Sequence, residues 1–194
     1  MNPIVDAYVV TESEHDSDLL KRLLPELLMG NVHVVAGKGR YNAESLASTI
    51  LAVRRVPTVL VIDADTEKES VARETESYLR SLLADAAAGV PFDITMAIPE
   101  MEVIFLQDKS ILEKVAGREI TSAEWLLFQN SRQALLDIVR SQQRTAVMRR
   151  IDALSPKDID VLRTHPLIAQ LSQFLSSVMT SSATNGHSPS HRTS

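Results

Sequence analysis

Short apolar runs alternate with amphipathic segments over the first hundred residues of the chain. The runs at 4–10, 32–35, 58–62 and 92–98 are rich in β-branched residues, which is typical of strands. The run at 58–62, Thr-Val-Leu-Val-Ile, has no polar alternation, and this predicts a strand buried on both faces. We therefore expect four strands.

Helical patterns separate these strands. Leucines at three- and four-residue steps predict a helix after the first strand, with Ser17 or Asp16 as its N-cap. Further helices are expected over 42–53 and 68–87, and another over 100–106. Repeated strand–helix alternation favours a parallel sheet with right-handed crossovers. The predicted fold class is α/β, a four-stranded, mainly parallel, Rossmann-like sheet flanked by helices, with a C-terminal all-α extension.

Beyond Gly117 only helical patterns occur. One covers 122–150, and shorter ones begin near Ser155 and Pro166. The last fifteen residues are rich in Ser and Thr, a composition typical of disorder. The expected organisation is an α/β domain over 1–117, a helical extension over 118–179 and a disordered tail over 180–194.

Composition narrows the class of protein. The chain has 194 residues, 44% of them hydrophobic, which is the length of one domain with a small appendage. The absence of cysteine excludes a disulfide framework, thiol catalysis and a Cys-ligated zinc site. No apolar stretch approaches the roughly 18 residues that span a bilayer, and the first residues lack the pattern of a secretion signal. We therefore expect a cytoplasmic protein with no membrane partner.

Charge is distributed unevenly along the chain. Residues 1–117 contain 11 basic and 19 acidic side chains, whereas residues 118–164 contain 8 basic and 6 acidic ones. An acidic half is unlike a module that coats DNA, and it suits a site that gathers carboxylates around divalent cations. Solvent-exposed helix faces are the alternative explanation for most of these charges.

Acidic residues are concentrated where three of the predicted strands end. Ligands of parallel α/β sheets bind at the carboxyl ends of the strands, and hard cations such as Mg²⁺ prefer carboxylate oxygens. The three acidic pairs at these ends are Glu12 with Asp16, Asp63 with Asp65, and Glu100 with Glu102.

Most of these acids also have a structural explanation. Asp16 lies near a helix N-terminus, where a carboxylate can cap the helix, and Asp65 could cap the helix that follows it. Glu100 and Glu102 could form the charged first turn of a helix, and Glu102 is the preferred ligand of the two. Only Glu12 has no such role.

A basic turn follows the second strand. In Gly37-Lys38-Gly39-Arg40 the glycines allow close backbone approach, and the two cations could contact a phosphate. The turn is not a Walker A loop, and an ordinary turn with two solvent-exposed cations is the alternative. Of the nearby polar residues, His15 is expected to be a loop residue.

Two motifs resemble those of the TOPRIM domain, which occurs in topoisomerases, bacterial primases and OLD-family nucleases. Glu12-Ser13-Glu14-His15-Asp16 matches its Glu-Gly-x-x-Asp motif, with Ser13 in place of the glycine, and Asp63-Ala64-Asp65 matches its Asp-x-Asp motif. The stretch Pro99-Glu100-Met101-Glu102 also resembles a segment of small, stand-alone OLD-like TOPRIM proteins. The resemblance covers about residues 4–106.

The resemblance implies a site that depends on Mg²⁺ or Mn²⁺. Glu12 would be the general acid/base or a metal ligand, and Lys38 joins the catalytic candidates as a phosphate contact. The implied metal ligands are Glu12, Asp16, Asp63, Asp65 and Glu102.

The favoured function is metal-dependent phosphodiester cleavage of DNA or RNA. The alternative is a non-catalytic TOPRIM-fold module that binds metal or nucleotide within a larger complex, such as a phage-defence assembly; because no ATP-binding motif occurs, an ATPase partner would be a separate chain. A receiver domain is a weaker third interpretation, since no Lys is suitably placed after a late strand. The residues expected to steer a nucleic-acid backbone are Arg132, Arg140, Arg144, Arg149 and Arg150.

Overall fold

Four parallel strands form the centre of the molecule. The computed structural model describes residues 5–140 and 142–185. The strand order is β2-β1-β3-β4, with every neighbouring pair parallel, so the predicted fold class is confirmed. The strands are β1 (Ala7–Thr11), β2 (Val32–Ala36), β3 (Thr58–Asp63) and β4 (Phe92–Ala97).

Helices connect the strands and continue to the end of the described chain. A π-helical turn (Ile50–Arg54) extends the third helix, and the segment after β4 is a 3₁₀ helix (Met101–Gln107) where a helix was expected over 100–106. The α-helices are α1 (Glu14–Leu23), α2 (Glu26–Met29), α3 (Arg40–Thr49), α4 (Glu69–Ala87), α5 (Lys109–Ala116), α6 (Ser122–Asn130), α7 (Arg132–Arg140), α8 (Arg144–Asp152), α9 (Pro156–Arg163) and α10 (Pro166–Asn185).

The pattern at 122–150 folds as three helices and not as one. Ser131 ends α6 with extended backbone (φ −140°), and Gln143 precedes α8 with a ψ of 124°, so neither residue can continue a helix. The apolar period alone did not reveal these breaks. At the C-terminus, α10 continues to Asn185, past the predicted start of the disordered tail at 180. Residues 186–194 of that tail lie outside the described residues.

The first helix begins earlier than the sequence pattern predicted. Ser13 is its N-cap, in place of Ser17 or Asp16, and Asp16, the third residue of the helix, completes a capping box with Ser13. The Asp16 amide donates to Ser13 Oγ at 3.2 Å, and the Ser13 amide donates to Asp16 Oδ2 at 3.2 Å. The Ser-x-x-Asp signature of such a box is present in the sequence.

Both faces of the sheet are covered. Val9 of β1 packs into one core cluster with α1 and the C-terminal helices, whereas its neighbour Val10 packs into a second cluster with α3 and α4. This alternation explains why the central strands are apolar throughout. The C-terminal helices share the first cluster, to which Phe128 and Leu171 belong, so the predicted boundary at 117 does not separate two cores.

The parallel register places the strand ends side by side. Thr11 of β1 pairs with Ala36 of β2 and with Val61 of β3, and Asp63 pairs with Ala97 of β4. The residues that follow these strands therefore meet at one edge of the sheet.

None of the helices in the described part of the chain is long and apolar enough to cross a membrane.

Candidate metal centre

A cavity of about 600 Å³ lies at the carboxyl edge of the sheet. Its walls come from the residues that follow β1, β2 and β4, from Asp63 at the end of β3, and from the C-terminal helices, through Val139 of α7, Gln142 between α7 and α8, and Val147 of α8. No local sequence signal pointed to these three residues, because they reach the cavity only through the packing of the C-terminal helices. The acidic residues that line the cavity are Glu12, Glu14, Asp16, Asp63, Glu100 and Glu102.

Asp63 lies at the centre of this acidic group. Burial and the surrounding carboxylates raise its pKa to about 9. Its Oδ1 atom accepts a hydrogen bond from the Met101 amide at 3.0 Å, which fixes the side chain at the end of β3. The carboxylates that raise the pKa of Asp63 are, in order of effect, Asp16, Glu102, Glu100 and Glu12.

Glu12 is held between β1 and β3. Its Oε1 atom accepts hydrogen bonds from the Asp63 amide at 3.1 Å, from Arg40 Nε at 3.3 Å and from Arg40 Nη2 at 3.2 Å. Burial raises the pKa of Glu12, and the guanidinium of Arg40 opposes that effect. The predicted acid/base residue is thus a half-buried carboxylate on the cavity wall.

Asp16 has both of the roles that the sequence allowed. Its carboxylate closes the capping box with Ser13, and it also lines the cavity beside Glu102. Burial raises the pKa of Asp16, the hydrogen bond from Ser13 opposes this effect, and the charge of Glu102 adds to it.

His15 is a helix residue and not the loop residue that was expected. It is the second residue of α1 and is 8% exposed. Its Nε2 atom lies 3.5 Å from Glu102 Oε1, and its buried Nδ1 atom has no hydrogen-bond partner within 5–140 and 142–185. The imidazole therefore lies directly against one of the predicted metal ligands.

Asp65 lies outside the cavity and pairs with Arg40, which also contacts Glu12. Its carboxylate is 65% exposed, and its Oδ2 atom lies 3.1 Å from Arg40 Nη2. Asp65 does not cap α4, because Lys68 is the N-cap of that helix. It is also absent from the cavity walls.

The two cationic side chains of the basic turn after β2, Lys38 and Arg40, have different surroundings. Lys38 stands at the rim of the cavity, 75% exposed, with Nζ 3.7 Å from Glu14 Oε1. Arg40 turns inward to Glu12 and Asp65, so in this conformation its guanidinium contacts acids and not an open phosphate position.

Two arginines of the helical extension have structural contacts. Arg132 Nη1 donates to the carbonyl of Ile98 at 2.9 Å, and Arg150 Nη1 donates to the carbonyls of Val115 and Ala116 at 3.2 Å. These bonds tie the extension to the α/β part of the chain.

The donor set suits a hard divalent cation in its chemistry. Within the described residues, no three His, Asp or Glu side chains already converge closely enough to hold a metal ion. The potential ligands that line the cavity are nevertheless carboxylate oxygens, which Mg²⁺ and Mn²⁺ prefer. The mutual repulsion that raises the pKa of Asp63 is also what a bound cation relieves.

Solved structures share this architecture. The C-terminal region of the Burkholderia pseudomallei OLD protein is similar, with a TM-score of 0.57 and 13% identity over 92% of this chain and 98% of that one. That region is a TOPRIM domain. This chain has a TOPRIM-like fold.

A second OLD structure supports the same assignment. The C-terminal region of the Xanthomonas campestris pv. campestris OLD protein matches with a TM-score of 0.58 and 9% identity, again over 92% of this chain and 98% of that one. No family model matches the sequence, and no curated protein does so. The TOPRIM resemblance seen in the two acidic motifs is confirmed at the level of the fold.

Proposed function

We propose that this protein cleaves phosphodiester bonds of nucleic acid, DNA or RNA, with the aid of Mg²⁺ or Mn²⁺. The observation that carries the proposal is the position of Asp63, half-buried among four other carboxylates at the carboxyl edge of a TOPRIM-like sheet. Burying several acids together costs free energy, and a divalent cation offsets that cost.

The cation would be held by carboxylates on the cavity wall. Asp16, Asp63 and Glu102 are the central candidates, with Glu12 beside them, and Asp65 is the predicted ligand whose position fits least well. A bound divalent ion supplies a Lewis acid that lowers the pKa of a coordinated water and stabilises charge on the phosphate.

The remaining chemistry belongs to Glu12 and Lys38. Glu12 would move a proton to or from the attacking water or the leaving oxygen, since it lines the cavity and burial raises its pKa above the ordinary value of a glutamate. Lys38 would contact a substrate phosphate at the cavity rim, where its ammonium group is exposed.

The test combines metal binding with cleavage. Calorimetry should detect Mn²⁺ binding to the wild type and not to Asp63→Asn, while Asp85→Asn, a change on the exposed face of α4, should bind as the wild type does. The same proteins are then incubated with supercoiled, linear and single-stranded DNA and with structured RNA. Wild-type cleavage that Asp63→Asn lacks supports the proposal.

Other outcomes point elsewhere. A wild type that binds Mn²⁺ and cleaves none of these substrates favours the non-catalytic interaction module, with an ATPase as a separate partner chain. Cleavage that survives both Asp63→Asn and Glu12→Gln would come from a contaminant or from a different site.

A further inference from the structure

Arg40 connects three parts of the site. Its guanidinium reaches Glu12 after β1 and the carbonyl of Asp63 at the end of β3, and also the carboxylate of Asp65 in the loop that follows. It is 27% exposed, less than half the exposure of Asp65. A half-buried cation in contact with two acids is arranged to hold them in place.

The backbone brings Arg40 to this position. The Gly39 amide donates to the carbonyl of Glu12 at 2.8 Å, so the turn after β2 is tied to the residue that Arg40 contacts. Gly37 lies so close to α3 that a Cβ atom there would be 2.4 Å from Ala43 Cα. Gly39 itself has a φ of 120°, which side chains other than hydrogen rarely allow.

Two residues beside these contacts have unfavourable backbone conformations. Lys38 has a φ of 62° and Asp65 a φ of 54°, although neither is glycine. A left-handed conformation costs free energy in such residues, and it persists where surrounding contacts impose it. Here the imposed geometry directs Asp65 to Arg40 and Arg40 to Glu12.

The hydrogen bonds of Glu12 show what this arrangement achieves. Within 5–140 and 142–185, every hydrogen bond to its carboxylate goes to Oε1, two from Arg40 and one from the Asp63 amide. One oxygen is thereby saturated and fixed, and Oε2 is left for a cation or for proton transfer.

We infer that Arg40 is a positioning residue that orients Glu12, and that Asp65 acts by holding Arg40 and not as a metal ligand. The inference rests on the proposed function for its catalytic consequence. Its structural content concerns only the contacts among Glu12, Arg40 and Asp65, and it can be tested without any cleavage assay.

The first measurement is a double-mutant cycle on the stability of the metal-free protein. Urea midpoints are measured for Glu12→Gln, Arg40→Ala and the double variant. Because the two side chains are in contact, the combined shift should be clearly smaller than the sum of the single shifts. Arg54→Ala is the matched control, because Arg54 lies in the π-helical turn that extends α3 and its side chain donates to the Tyr8 hydroxyl and not to Glu12. The midpoint shift of Arg54→Ala should therefore add to that of Glu12→Gln in the corresponding double variant. Additive shifts for Arg40 as well would overturn the inference.

The second measurement is Mn²⁺ affinity by calorimetry. Asp65→Asn should keep Mn²⁺ affinity within about tenfold of the wild type, as expected for a residue behind the ligands, whereas Asp63→Asn should lose binding. A loss in Asp65→Asn as complete as that in Asp63→Asn would make Asp65 a ligand and refute its assigned role.

The third measurement separates positioning from substrate contact. Arg40→Ala should lower kcat by about 10- to 100-fold with little change in KM, and added guanidinium ion should restore part of the loss in this variant and in no other. A rise in KM with kcat unchanged would mean that Arg40 contacts the substrate phosphate, against the inference. If the wild type cleaves nothing, the nuclease proposal fails, and the stability cycle and the calorimetry still decide the role of Arg40.

Discussion

Replacing Asp63 by asparagine is expected to stabilise the metal-free protein at neutral pH. The pKa of Asp63 is about 9 in the folded protein and near the ordinary aspartate value of 3.8 in the unfolded chain. Between these values the folded state binds a proton that the unfolded state has lost, so stability falls as the pH rises through this window. Asparagine has no charge to bury, and its amide oxygen can still accept the hydrogen bond from Met101.

The size of the effect follows from the same two values. Each pH unit above the unfolded-state pKa of 3.8 adds about 1.4 kcal/mol to the cost of keeping Asp63 protonated in the folded state. From 3.8 to pH 7 this cost reaches up to about 4 kcal/mol. This is an upper bound, because the neighbouring carboxylates can take up part of the proton. The gain in Asp63→Asn should shrink toward zero near pH 4 and increase from pH 5 to pH 8.

Urea unfolding in the presence of a chelator measures this gain at pH 5, 6, 7 and 8. The exposed Asp85→Asn variant should show no comparable dependence on pH, because its carboxylate is not buried. A gain for Asp63→Asn that is the same at all four pH values, or a loss of stability at pH 8, would refute the interpretation of Asp63 as a half-buried acid surrounded by other acids.

Four further predictions address the metal, the chemistry and the core. Mn²⁺ at 100 times its Kd should add about 2.7 kcal/mol to the stability of the wild type and nothing to Asp63→Asn, as thermal melting would show. Glu12→Gln should lower the cleavage rate by roughly 10²- to 10⁴-fold in steady-state kinetics, with substrate affinity nearly unchanged. Lys38→Ala should weaken nucleic-acid binding and reduce its salt slope by about 1, as measured by fluorescence anisotropy. Asp158→Ala should cost about 1–2 kcal/mol in urea unfolding at pH 7, because it removes a capping partner of α9 and the 2.8 Å ion pair with Lys114.

The last of these effects depends on pH in the opposite direction to that of Asp63. Hydrogen bonds from Lys114 and Ser155 lower the pKa of Asp158 to about 2, so its contribution is complete above the ordinary aspartate value of 3.8 and is lost as the pH falls toward 2. An Asp158→Ala variant as stable as the wild type at pH 7 would contradict the assigned role. For the other three, the contrary results are an unmoved melting curve with Mn²⁺, unchanged cleavage in Glu12→Gln, and an unchanged salt slope in Lys38→Ala.

Local pattern was enough to predict the sheet and its acidic edge. The apolar run that became β3 needed no partner to be recognised, because a strand buried on both faces has a composition that few other elements share. Parallel topology then required the residues after β1, β3 and β4 to meet at one edge, and Glu12, Asp63 and Glu102 do line one cavity there. The start of α1 was predicted a few residues too late, at Ser17 or Asp16, although the Ser-x-x-Asp signature of the Ser13 capping box lies in the sequence.

Only the tertiary structure decided which acidic residues line the cavity and which lie outside it. Asp63 and Asp65 stand two positions apart, yet Asp63 is half-buried among carboxylates whereas Asp65 is largely exposed and paired with Arg40. That difference arises from the left-handed backbone at Asp65 and from an arginine 25 residues away in sequence. The wall formed by Val139 and Val147 has the same origin, since it depends on how the C-terminal helices pack across the sheet. Periodicity encodes which face of an element is buried, whereas the direction of a single loop side chain is set by contacts between distant segments, which no local pattern contains.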